Sequence, residues 1–405
     1  MTYRKFKADY LFTGEEIAGG GLAGENQAVD MVLITTEDGT VQDLIPAADA
    51  GEGIEIYRGL LSPGFINCHC HLELSHMKGV LPEKTGLVDF LTAVIQQRGA
   101  VPAGAEHMAR AEQEMLDNGI VAVGDICNTA GTLSLKTEGR LYYHNFIETM
   151  GFIEQSAGDR FAHSLGVFKA FAEAYSLPIE ANSIVPHAPY SVSSALFRLV
   201  AGFPGNHILT IHNQESAAEN EFYLSGTGDF LRLYQQLGLD VSFFQGTGKR
   251  SLASYVSYFH HHQSLILVHN VATSEEDLLA VSGVSGGAGP SLYFCLCPNA
   301  NLYISGQLPD VGMLVRHGSR IVMGTDSLAS NHQLSILEEI KTLERAFPQL
   351  GTSSLLQWAT YNGARALQLD GLLGSFALGK RPGVVLIENL DGQRLGGRAT
   401  ARRLL

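Results

Sequence analysis

Between Leu61 and Ser327 the chain carries eight short apolar runs. They are "LSPGFINCHCH" (61–71), "GIVAVGDICN" (119–128), "LYYHNFIET" (141–149), "SIVPHAPY" (183–190), "HILTIHNQ" (207–214), "LILVHNV" (265–271), "LYFCLCPN" (292–299) and "RIVMGTDS" (320–327). Between most of them lie runs of helical periodicity, such as "LVDFLTAVIQQR" (87–98) and "LSILEEIKTLERAF" (334–347). Nearly continuous apolar strands suit a parallel sheet covered on both faces. Eight such strands alternating with helices predict an α/β chain folded as a (β/α)8 TIM-like barrel.

The flanks read differently. Residues 1–60 hold short β-prone pieces, with "EDG" at Glu37–Gly39 as a hairpin turn and "GGG" at 19–21 as a flexible loop. No GxxxxGK[ST] follows those glycines, so they are not a phosphate loop. From Gly374, "GSFALGKRPGVVLIENL" returns to short strands broken by Gly379 and Pro382-Gly383. The expected organisation is a small composite β-sandwich domain from both termini, residues 1–60 plus 371–405, around a barrel at 61–370.

Composition narrows the partners. With 27 basic against 41 acidic residues, the net charge of −14 argues against nucleic acid or anionic membrane. No run of about 18 apolar residues suggests a membrane span, and Met1–Tyr10 lacks the apolar stretch of a secretory signal. Five cysteines in a long chain do not make a disulfide framework, so a reduced, cytoplasmic location is expected.

Several strand ends carry metal-competent side chains: His69 and His71, His187, His212, His269 and Asp326. Barrel active sites lie at the C-terminal ends of the strands. In "NCHCHLE" (67–73) the period of two sends His69 and His71 to one face and Cys68 and Cys70 to the other. The four cannot close on one ion unless the strand breaks, and a structural zinc site would want a wider cysteine spacing. Two histidines at i and i+2 can instead present both imidazoles to one ion in the barrel mouth. His212 is then the natural third ligand and Asp326 the fourth. His269 falls close enough in strand order to face the same pocket. Taken singly, His187 and His269 also read as packed core residues.

At this point the chain resembles the amidohydrolase superfamily, in its deaminase and chlorohydrolase-like branch. The matching segments are "SPGFINCHCHLELSH" (62–76), "PHAPYSVS" (186–193), "IHNQESAAENEF" (211–222), "LVHNV" (267–271), "CPNANLYISG" (297–306) and "GTDSLASNHQLSILEEI" (324–340). They occur in the family's order. One departure lies outside the barrel, where Pro382-Gly383 replaces the usual Ala-Asp after Gly-Lys.

The resemblance implies one divalent metal ion, zinc with iron as the alternative, held by His69, His71, His212 and Asp326. Dinuclear members carry a bridging Lys at the end of the fourth strand, and "SIVPHAPY" has none. A bound divalent metal lowers the pKa of its water from about 15.7 toward about 7. The implied catalytic residues are Asp326, which accepts the water's proton, His269, which bonds the attacking water, and Glu215. Glu215 follows His212 by three residues, as the proton donor of this branch does; alone, it reads equally as a carboxylate opening the next helix. His187 is implied as a substrate contact, with Glu148, Ser191 and Glu73 as weaker pocket-lining candidates. Glu219 and Glu221 are expected on the helix surface or as salt-bridge partners of the loop, and the His260–His262 run on the protein surface.

"INCHCHLELSH", "GLVDFLTAVIQQR" and "HAPYSVS" look most like the aminodeoxyfutalosine deaminases, which act on an adenine nucleoside carrying a benzoate. The expected activity is hydrolytic deamination of an adenine-type nucleoside or related N-heterocycle, with 6-amino-6-deoxyfutalosine as the candidate substrate. The alternatives are hydrolysis of a cyclic amide or of a chloro- or amino-substituted ring, and adenosylhomocysteine/methylthioadenosine or guanine-type deamination. A carboxylated substrate would want an arginine, for which Arg98 and Arg140 are the candidates. The partner is thus a small molecule, and a homo-oligomer is expected by resemblance.

Overall fold

The computed structural model describes residues 2–14, 30–174, 181–282 and 289–405; the "GGG" at 19–21 lies outside them. The strands are β1 (Tyr3–Lys7), β2 (Tyr10–Leu11), β3 (Met31–Thr36), β4 (Val41–Pro46), β5 (Ile54–Ile56), β6 (Leu60–Pro63), β7 (Phe65–Cys70), β8 (Ile120–Cys127), β9 (Tyr142–Thr149), β10 (Asn182–Pro186), β11 (Ile208–Asn213), β12 (Ser264–His269), β13 (Ser291–Leu296), β14 (Ile321–Met323), β15 (Val384–Glu388) and β16 (Thr400–Arg403). Each of the eight expected strands overlaps one of β7 to β14, with β10, β12 and β13 each starting one residue earlier than expected.

Those eight strands form two parallel quartets, β7-β8-β9-β10 and β11-β12-β13-β14, numbered along each sheet by hydrogen-bonded neighbours. They are almost entirely buried and largely apolar, as a sheet covered by helices requires, with buried polar residues such as Asp125, His144 and Asn145 among them. The quartets are bonded to each other at both seams. The His212 amide donates to the His187 carbonyl at 2.9 Å, and the amides of Thr325 and Asp326 donate to the His69 carbonyl at 3.1 and 3.0 Å. The result is an α/β fold of TIM-barrel type. The expected helices are present at Leu87–Gln97 and Ile336–Ala346, the second with Ser335 Oγ capping the Glu338 amide.

The termini supply two further four-stranded sheets, β4-β3-β1-β5 and β16-β15-β6-β2. Phe6, Leu33 and Val41 from the first region share a core with Leu61, Phe376 and Leu386 from the second. The Glu37–Gly39 hairpin is present: β3 and β4 are antiparallel, and Gly39 has a φ of 85°.

One strand expectation is corrected. "LSPGFINCHCH" is two strands, because the chain changes sheets at Gly64. A Cβ there would sit 2.3 Å from Val121 Cγ1 and 2.7 Å from the Pro382 carbonyl oxygen. Apolar continuity across residues 61–71 hid the change, since both halves are buried. No helix among the described residues is long and apolar enough to cross a membrane.

Gly64→Ala should therefore destabilise the protein by ~1–3 kcal/mol through overpacking. The check is a lower urea midpoint at unchanged slope.

Candidate active site

The C-terminal ends of β7, β11 and β14 bring together the four residues expected to bind metal. One donor atom each from His69, His71, His212 and Asp326 lies within 4.8 Å of the others. His69 Nε2 and His71 Nε2 face each other at 3.1 Å, and Asp326 Oδ1 lies 3.5 and 3.4 Å from them. Hydrogen bonds fix which atoms point inward. His212 Nδ1 is 2.8 Å from the His187 carbonyl, to which it donates, leaving Nε2 as the free lone pair. Ser330 Oγ donates to Asp326 Oδ2 at 2.6 Å, leaving Oδ1 for the histidines.

Protonation follows from burial. Desolvation pushes His71 down to about 3, and lowers His69 and His212 as well. Burial alone would raise Asp326, but His69, His71 and His269 around it hold it well below the usual carboxylate range. Three neutral imidazoles and one carboxylate thus converge their lone pairs on one spot. That donor set fits a borderline divalent cation such as zinc.

Left-handed backbone shapes three of these strand ends. Gln214 after β11, His269 and Asn270 at β12, and Asp326 after β14 have φ of 45°, 77°, 60° and 57°. Such conformations cost of order 1–3 kcal/mol each in a non-glycine residue and need compensating bonds. Glu219 Oε1 accepts from the Gln214 amide at 2.9 Å, the Asn213 carbonyl accepts from the Asn270 amide at 3.0 Å, and the His69 carbonyl accepts from Asp326.

Glu215 and His269 lie beside the cluster. His269 Nε2 is 3.6 Å from Glu215 Oε1, and its Nδ1 is 3.0 Å from Asn301 Oδ1. Burial raises the Glu215 carboxyl to about 7, with His269 opposing and Asp326 adding to the shift. For His269, burial would lower the pKa, but the Glu215 and Asp326 carboxylates more than offset it.

The other candidates divide. Glu148 and His187 each place a donor atom within 4.8 Å of His212's. His187 Nδ1 pairs with Ser191 Oγ at 2.7 Å, and Glu148 Oε2 accepts from Asn128 Nδ2 at 2.8 Å. Glu73 turns to the neighbouring loop instead, accepting from the amides of Asn128 and Thr129 and from Thr129 Oγ1. Glu219, expected on the helix surface, is fully buried, with Ser251 Oγ donating to it at 2.5 Å. Its acidic helix-opening position reads as exposed, but packing from a distant helix covers it. Glu221 is exposed, as are His260, His261 and His262.

Neither arginine reaches the cluster through a hydrogen bond or ion pair. Arg140 precedes β9, at the strand's N-terminal end, and pairs with Glu112 at 3.2 Å. Arg98 is exposed at the end of the helix Leu87–Gln97 and lines a cavity of about 290 Å³ with Glu73, His76 and His107. Asn301, Ser330 and Asn128 carry site hydrogen bonds that spacing did not reveal. The first two lie inside the quoted "CPNANLYISG" and "GTDSLASNHQ" segments, where a run of small polar residues does not show which one turns inward.

A parallel α/β scaffold with three histidines and an aspartate converging at its strand ends is the frame of a hydrolase. The chain belongs to the amidohydrolase family, which it matches over residues 60–395. It is 28% identical over 317 residues to the adenosine deaminase of Helicobacter pylori, covering 77% of this chain and 75% of that protein. It is 24% identical over 361 residues to the aminodeoxyfutalosine deaminase of Nitratiruptor sp., covering 87% and 85%. The crystal structure of Helicobacter pylori aminofutalosine deaminase in complex with methylthio-coformycin matches the fold with a TM-score of 0.79 at 21% identity, covering 96% of this chain and 94% of that one. An adenosine deaminase from Xanthomonas campestris with bound zinc matches with a TM-score of 0.68 at 20% identity, covering 95% and 84%.

All five cysteines are buried and free, and Cys68 Sγ packs 3.8 Å from the Gly363 carbonyl oxygen, on the helix Tyr361–Ala366. Cys68→Ala and Cys70→Ala should each keep the metal, whereas His69→Ala or His71→Ala should lose it. Metal content of the purified variants checks this; metal loss from a folded cysteine variant would contradict it.

Proposed function

We propose that this chain is a mononuclear metal-dependent aminohydrolase that deaminates an adenine-type nucleoside, with 6-amino-6-deoxyfutalosine as the leading substrate. Glu215 carries this reading: a buried carboxyl, raised to about 7, stands beside the four-donor cluster. Adding water to an amino-substituted ring carbon makes the adjacent ring nitrogen basic, so an acid must stand there. The adenosine and aminodeoxyfutalosine deaminases among the relatives support the same chemistry.

In this reading His69, His71, His212 and Asp326 hold one divalent ion. Zinc is favoured by the donor set and by the zinc-bound Xanthomonas campestris structure, with iron as the alternative. When bound, the ion supplies a water-derived nucleophile at neutral pH. Asp326 Oδ1 takes the proton that the water gives up. Glu215 donates its proton to the ring nitrogen, the amine takes the proton held by Asp326 and leaves as ammonia, and the added hydroxyl returns its proton to Glu215 as the carbonyl forms. His269, oriented through Asn301, presents Nε2 to the incoming oxygen. His187, Ser191 and Glu148 line the substrate side.

The same reading takes the two quartets as one closed (β/α)8 barrel over residues 61–370. Residues 1–60 and 371–405 form a composite β-sandwich domain, and the enzyme is a cytoplasmic homo-oligomer.

Glu215→Gln should lower kcat by about 10²–10⁴ with the metal retained. Since Glu215 acts in its protonated form, kcat/KM should fall as pH rises above about 7. Ammonia release should be measured across aminopurine nucleosides, with and without a carboxylate, and across pterins. Ring opening without ammonia would overturn the proposal.

A further inference from the structure

The four-donor cluster leaves a second donor set beside it. Glu148, His187 and His212 each offer an atom within 4.8 Å of the others. His212 has only Nε2 free, because its Nδ1 is bonded to the His187 carbonyl. That one nitrogen cannot serve two ions. With His212 engaged in the first cluster, Glu148 and His187 remain as a pair.

Both members of the pair are oriented for a ligand. Ser191 Oγ occupies His187 Nδ1 and leaves Nε2 free. Asn128 Nδ2 holds Glu148 Oε2, while Glu148 Oε1 is buried with no partner among the described residues; the residue as a whole is 8% exposed. A buried carboxylate oxygen without a partner is costly unless a donor or a cation meets it. A carboxylate oxygen and a neutral imidazole are the ligand types that zinc accepts, and two-metal sites place their ions about 3.5–4 Å apart.

We propose that Glu148 and His187, next to His212, form a second and weaker divalent-cation site whose occupation competes with substrate. The site rests on the donor geometry alone; only the competition rests on the substrate placement proposed above. Repulsion from the first ion makes the second bind less tightly, with the Glu148 charge offsetting part of it. Excess free zinc should then inhibit the enzyme by occupying the groups that line the substrate side.

The test is a zinc titration by calorimetry, with metal analysis, of full-length protein stripped by chelator. His260, His261 and His262 are replaced by Ala in every sample, so that the exposed histidine run cannot supply the signal. Two classes of zinc are expected, one tight and one weaker. Glu148→Gln and His187→Asn should each keep the tight class and lose the weaker one. In steady-state assays of the parent protein, free zinc should raise the apparent KM at unchanged kcat. A single class in the parent overturns the proposal. So does a weaker class that persists in whichever of the two variants folds, as judged by its melting temperature. If both ions bind and no nucleoside yields ammonia, the second site stands and the deaminase assignment falls.

Discussion

The His69 carbonyl accepts from the amides of Thr325 and Asp326, and this contact sets the geometry on which the site depends. It joins β7 to the chain following β14, bringing the first and last of the eight parallel strands side by side. It also supports the left-handed backbone at Asp326 while holding that carboxylate within 3.5 Å of His69. At the other seam, the His212 amide bonds the His187 carbonyl, and His212 Nδ1 bonds the same oxygen. Strand pairing and side-chain orientation are thus fixed by shared atoms. A site built on strands in this way keeps its donors at set distances without relying on loops.

Burial then determines the charge of each group. Desolvation lowers the three metal-facing histidines, while Asp326, which burial would raise, is held low first by its hydrogen bond with His69 and then by the other rings around it. A few ångströms away, desolvation has the opposite consequence for Glu215, where fewer compensating groups stand and the carboxyl rises toward neutrality. Two carboxyl groups in one site are pushed apart in pKa by their surroundings. In the proposed mechanism this difference lets one accept and the other donate a proton at the same pH.

The left-handed residues Gln214, His269, Asn270 and Asp326 cluster at the ends of the strands that carry this chemistry. Their bonding partners include Glu219, which contacts no member of the metal-donor set through a hydrogen bond but fixes the turn between His212 and Glu215. Buried polar groups thus support the site as well as form it.

Much of this was legible along the chain. Strand period two separated His69 and His71 from Cys68 and Cys70, and apolar runs alternating with helical ones located all eight parallel strands. Both signals are local, so the sequence alone determined the order of elements and the type of chemistry. Contacts between distant segments required the tertiary structure. Gly64 divides one apolar run between two sheets because Val121 and Pro382 close around it. Glu219 is buried because Ser251 packs on it, and Arg140 lies at the wrong end of its strand to meet a substrate. Asn301 turns to His269, and Glu148 keeps one oxygen without a partner among the described residues, next to His187. Each of these depends on which residue arrives from far along the chain, and sequence spacing does not encode that.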